Sequence, residues 1–156
     1  MLSEKVKEQA GGGLGVAIKE GWDAYSQLTK FRLSMLVALS GMHGYAMAAW
    51  GNIDWFLLLM VGLGAMLVTG ASNVLNQVFE KEYDKLMART ANRPLPAGKM
   101  TSMQGVILAL ILGIAGISIM GYFFNLPAAL FSVIALLSYA FVYTPMKRIS
   151  PIAVFI

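Results

Sequence analysis

The chain has 156 residues, 58% of them hydrophobic, with a mean hydropathy of +0.67 and no cysteine. These values exclude an ordinary soluble domain, disulfides and thiolate metal sites. A net charge of +4 in a soluble protein would suggest nucleic acid; here the basic residues sit in short segments between apolar runs, which points to a lipid bilayer and to no nucleic-acid partner.

Residues 1–15 mix Glu4, Lys5, Lys7 and Glu8 with the run Gly11–Gly13. They cannot sustain a buried face, so a disordered leader is expected, and no apolar stretch marks a secretory signal. From Val16 to Lys30 the residues Val16, Trp22, Tyr25 and Leu28 recur at roughly helical spacing. That pattern predicts an amphipathic helix in the membrane interface, making residues 1–30 one cytoplasmic unit.

Residues 31–156 read as an all-α integral membrane unit, a multi-helix transmembrane bundle. Spans are expected at about 31–50, 55–78, 103–124 and 128–143, and a fifth begins near 152. Arg32 and His43 interrupt the first. Gly62, Gly64 and Gly70 in the second, and Ala109, Gly113 and Gly116 in the third, are small residues of the kind that let membrane helices approach closely. Pro145 is expected to end the fourth span, because a residue before proline avoids the helical conformation.

All twelve Lys and Arg lie in three places: up to the start of span one, between spans two and three, and after span four. The alternate connections, 51–54 and 124–127, carry none. With four spans the three basic segments share a side, and the positive-inside rule makes it cytoplasmic.

The one long polar interval is Asn73 to Gly98. If its first half is helical, Asn76, Glu80 and Asp84 recur at i, i+4 and i+8, drifting about 40° per step and sharing a face. An amide and two carboxylates on one face suit a hard divalent cation such as Mg²⁺, which often brings phosphates with it. Arg89 and Arg93, in a segment that Pro94 and Pro96 keep from being helical, are natural phosphate partners. Glu82 lies about 200° round from Glu80, behind the ligands or in solvent. The plainer reading is a helix that turns polar as it leaves the membrane, its acids paired with Lys81 and Lys85, followed by a basic loop that orients the chain or touches lipid headgroups.

The pattern Asn76-x-x-x-Glu80-x-x-x-Asp84, then Met87-x-Arg89-Thr90-x-x-Arg93-Pro94-Leu95, resembles the first aspartate-rich motif of the UbiA superfamily of membrane prenyltransferases, and within it most the protoheme IX farnesyltransferases. Tyr143-x-x-x-Lys147-Arg148 is similar to the tyrosine and basic residues after the family's fourth helix. The resemblance covers about residues 28–156. Glu80 and Glu82 stand where the family usually has Asp; glutamate keeps the charge and reaches one methylene further. Family members carry about nine spans and a second aspartate-rich motif, so the chain is expected to be an N-terminal half, inactive without its missing C-terminal half.

The resemblance implies Mg²⁺-dependent transfer of a farnesyl group from farnesyl diphosphate to heme b. Asn76, Glu80 and Asp84 are the implied catalytic metal ligands. Arg89, Arg93, Lys147 and Arg148 are the implied diphosphate partners, and Tyr143 or Tyr139 would face the allylic cation or anchor the interface. His43, far from the polar interval along span one, is read as a packing residue. Two other readings stand beside this one: a UbiA-type enzyme with an aromatic or glycerol-phosphate acceptor, and a non-catalytic multi-span membrane protein.

Overall fold

The computed structural model describes residues 21–149, with the backbone alone for 147–149. The leader, the residues near 152 and the side chains of Lys147 and Arg148 lie outside the described residues. Every regular element among the described residues is helical. In order they are α1 (21–28), α2 (Phe31–Ala48), α3 (Trp55–Leu86), α4 (Ser102–Phe123), α5 (Leu126–Leu137), a π-helical segment (Ser138–Tyr143) and α6 (Thr144–Ile149).

Side-chain caps set the helix starts. Asp54 Oδ1 accepts from the backbone N–H groups of Phe56 and Leu57 at 2.8 and 3.1 Å, starting α3. Thr101 and Gln104 form a reciprocal capping box on α4, and Asn125 Oδ1 accepts from Ala128 N–H to start α5. Three segments are long and apolar enough to cross a membrane: Trp55–Leu86, Ser102–Phe123 and Leu126–Met146. The 18-residue α2, carrying Arg32 and His43, is not among them.

α3 is the axis of the bundle and packs on α2, α4, α5 and the π-helical segment. Its 32 residues run about 48 Å, well beyond a hydrocarbon layer of about 30 Å. The apolar half meets α4 through small residues. A Cβ on Gly116 would stand 2.8 Å from Val68 Cγ2 and 3.0 Å from both the Gly64 oxygen and the Val68 nitrogen, so the two backbones are nearly in contact. Gly64 likewise receives Met120, and Gly113 lies against Ala71. The buried apolar cluster is Leu28, Val74, Leu95 and Ala109, at the end of α3 where the chain turns polar. The outward side chains, among them Leu36, Leu59, Ile114 and Phe131, are apolar and exposed, as a bilayer requires.

The chain does not stop being helical at Pro145, contrary to expectation: α6 runs through it. The preceding six residues widen to π geometry, and the Thr144 N–H reaches back five residues to the Tyr139 carbonyl. Thr144 thus takes the helical conformation before the proline, at φ −60° and ψ −47°, held there by its N–H and its hydroxyl, which both bond the Tyr139 carbonyl.

Candidate functional site

The polar half of α3 carries Asn73, Asn76, Gln77, Glu80 and Asp84, each no more than 7% exposed. Spacings of three, one, three and four residues keep them on one side of the helix. Two amides, Asn73 and Gln77, hold the corner between α1 and α2. Asn73 Nδ2 donates to the Thr29 carbonyl at 3.1 Å, and Gln77 Nε2 donates to the carbonyls of Gln27 and Leu28 at 3.2 and 2.8 Å. At that corner Lys30 is left-handed, with φ +48°, the one non-glycine residue among those described with positive φ.

Asn76, Glu80 and Asp84 line a cavity of about 950 Å³ together with Lys30, Arg89, Arg93, Tyr139 and Tyr143. Asp84 Oδ2 accepts from Arg93 Nη1 at 2.7 Å, with the carboxylate 7% and the guanidinium 25% exposed. Thr90 Oγ1 donates to the Asp84 carbonyl at 2.9 Å, fastening the 87–101 loop to the end of α3. Pro94 and Leu95 of that loop are buried. Removing one partner of such an ion pair leaves a buried charge uncompensated, at a cost on the order of 3–5 kcal/mol.

The sequence expectation therefore divides. Glu82 is the acid that pairs locally, with Lys85 Nζ at 2.9 Å in solvent, whereas Lys81 turns to Ser102 Oγ at 3.4 Å. Glu80 and Asp84 are buried and face the cavity. Arg89 sits exposed at the rim. Tyr139 and Tyr143 stack at 5.1 Å with planes 15° apart, and both line the cavity. The backbone carries 147 and 148 just past this point on α6. His43 is exposed on α2 and takes no part in the cavity lining.

Sequence reasoning missed Lys30, Asn73, Gln77 and Thr144. The two amides had a signal, since amides inside an apolar run belong against partners and not against lipid. Lys30 and Thr144 had none; their roles come from a backbone conformation and from a contact 68 residues away in the chain.

Among the described residues no three His, Cys, Asp or Glu side chains gather into a metal cage. Asn76, Glu80 and Asp84 offer an amide and two carboxylates at one cavity wall. Such an all-oxygen set fits Mg²⁺, which binds through one or two carboxylates, keeps waters and adds substrate phosphates. Arg93, engaged with one Asp84 oxygen, adds a cation to the lining of the same cavity.

Residues 34–156 match the model of the UbiA prenyltransferase family. A curated relative, the protoheme IX farnesyltransferase of Cytophaga hutchinsonii, is 46% identical over 135 residues, covering 86% of this chain and 47% of the relative. The protein of that name from Flavobacterium psychrophilum is 37% identical over 141 residues, 89% of this chain and 47% of its own. A solved structure from work on digeranylgeranylglyceryl phosphate synthase in membranes superposes with a TM-score of 0.75 at 26% identity, over 83% of this chain and 45% of that one. The chain spans about half the length of the relatives it matches.

Proposed function

The chain belongs to the UbiA prenyltransferase family, and from that premise we propose that it serves Mg²⁺-dependent transfer of a farnesyl group from farnesyl diphosphate to heme b. The observation that carries this is one cavity bordered by buried Asn76, Glu80 and Asp84 and by the cations Lys30, Arg89 and Arg93. Acids and cations lining one opening suit a metal–diphosphate group, in which both signs find partners.

Asn76, Glu80 and Asp84 hold Mg²⁺, which when bound offsets the charge that gathers on the leaving diphosphate. Arg89 and Arg93 give charge-assisted hydrogen bonds to the diphosphate oxygens, joined by Lys30, Lys147 and Arg148. Asp84 aims the Arg93 guanidinium. The stacked rings of Tyr139 and Tyr143 offer π faces to the allylic cation exposed as the C–O bond breaks. The apolar residues around the bundle keep water from that cation.

In the membrane, α2 serves as a fourth span beside the three longer ones. Its 18 residues reach about 27 Å, and its outer side chains Leu33, Leu36, Leu39 and Met47 are exposed and apolar. The described part of the N-terminal segment, residues 21–30, lies in the interface, where Trp22 and Tyr25 stack at 6.0 Å. The one-sided basic segments support a cavity that opens to the cytoplasmic face of the membrane, in a bacterium the inner membrane. The 156 residues supply one wall of the site, and turnover needs the remaining length that the relatives carry.

The test gives the purified full-length protein farnesyl diphosphate and Mg²⁺ with heme b, 4-hydroxybenzoate or a glycerol-phosphate lipid acceptor, and reads prenylated products by mass spectrometry. Conversion of heme b is expected. Prenylation of another acceptor and not of heme b would move the chain to another branch of the family. Prenyl transfer by the 156-residue chain alone would refute the half-site reading.

A further inference from the structure

We infer that Thr144 is a positioning residue that decides which end of the Asn76 amide faces the cavity. The inference rests on the reading above, in which Asn76 is a ligand to a divalent cation.

Thr144 is 1% exposed. It lines a separate cavity of about 300 Å³ shared with Phe79, Phe141 and Pro145, and does not line the large one. It therefore meets Asn76 from behind. Its hydroxyl carries one proton. The Tyr139 carbonyl can only accept, so that proton goes there, across 2.9 Å. Toward Asn76 the hydroxyl then offers only lone pairs, and Asn76 Nδ2 donates to it at 2.9 Å. The amide is a planar fork. With nitrogen committed to Thr144, Oδ1 is the end of the amide left for the cavity that Asn76 lines with Glu80.

Without this latch the amide could rotate by half a turn at little cost, and an NH₂ group would replace an oxygen ligand. Mg²⁺ accepts carbonyl oxygen and is repelled by amide hydrogens.

The π-helical segment is what makes the latch. In a regular α-helix a threonine hydroxyl bonds back to the carbonyl four residues earlier, here that of Ala140. In this chain both the N–H and the hydroxyl of Thr144 reach Tyr139, five residues back. The extra residue in the turn sets the direction of the oxygen that receives Asn76.

The experiment measures Mn²⁺ binding by electron paramagnetic resonance, with inorganic diphosphate present, on the purified full-length protein. The variants are Thr144→Val, Thr144→Ser, Asn76→Ala, Asn76→Asp and the double variant Asn76→Asp with Thr144→Val. Thr144→Val should weaken Mn²⁺ binding about 10- to 100-fold, the usual effect of losing a group that orients a ligand. Thr144→Ser, which keeps the hydroxyl, should bind like wild type. In the Asn76→Asp background the two carboxylate oxygens are alike, so adding Thr144→Val should change nothing. Wild-type affinity in Thr144→Val, or an equal loss in both backgrounds, overturns the inference; the second result would mean a general disturbance of the helix. If Thr144→Val does not fold, Thr144→Ala is read in both backgrounds by the same criteria. Wild-type affinity in Asn76→Ala sinks the ligand reading itself, and the inference with it.

Discussion

The two halves of α3 are held by different forces. From Trp55 to Ser72 the helix packs by shape: Gly64, Val68 and Ala71 meet Gly116, Gly113 and Met120 of α4, and close approach supplies dispersion contacts. From Asn73 to Leu86 it packs by hydrogen bonds and charge, through Asn73 and Gln77 to the α1–α2 corner, Asn76 to Thr144, and Asp84 to Arg93. Lipid tails are as apolar as leucine, so burial alone does not drive helices together within a bilayer, whereas an unmet polar group there is costly. The apolar half thus tolerates any side chain that fits, and the polar half tolerates only partners that bond. A site that must gather acids and cations is built on the second principle and anchored by the first.

The largest break in that contrast comes from Asp84→Asn in the full-length protein. It removes a carboxylate and leaves Arg93 without its anion, so turnover should fall by about 10²–10³-fold or more while the protein stays in the membrane. Prenyl-transfer rates on membrane fractions, normalised to protein present, check it, and wild-type turnover would remove Asp84 from the site. Next, Gly116→Leu tests the packed half. Its side chain has no room against Val68 and the Gly64 carbonyl, so α3 and α4 must part, costing about 1–3 kcal/mol or more. The melting temperature in detergent should drop clearly, whereas Gly44→Ala, where a Cβ meets nothing within 4 Å, should leave it nearly unchanged.

Gln77→Leu is smaller and sharper. It strips donors from the Gln27 and Leu28 carbonyls, a loss of about 1–3 kcal/mol, and frees the corner that carries Lys30. KM for farnesyl diphosphate should rise more than kcat falls; a change in kcat alone would contradict a positioning role for the corner. Glu82→Gln should do least. Glu82 pairs with Lys85 in solvent, and neither melting temperature nor rate should move measurably.

Much of this was legible in the chain. The i, i+4, i+8 series of Asn76, Glu80 and Asp84 and the small residues on two spans translate directly into helix faces, because helical geometry is local and fixed. The loop after α3 also read correctly, since Pro94 and Pro96 forbid a helix there whatever surrounds them. Pro145 misled for an instructive reason. The rule is a preference of the residue before proline, and here Thr144 adopts the helical conformation all the same, with its N–H and hydroxyl both bonded to the Tyr139 carbonyl. The Asn73–Thr29 and Asn76–Thr144 contacts join residues 44 and 68 apart, and no local pattern encodes such pairings. The number of crossings is the remaining case: three described segments are long and apolar enough to span, and α2, with Arg32 and His43 among its 18 residues, is too polar to be a fourth by composition alone.

The left-handed Lys30 sets two selective demands against each other. A residue with a Cβ in that conformation gives up about 1–2 kcal/mol that glycine would not. Lys30→Gly should therefore raise the melting temperature while weakening capture of the diphosphate. A search for thermostable variants scored only by survival of the fold would favour glycine at position 30, and would select away one of the cations at the mouth of the site.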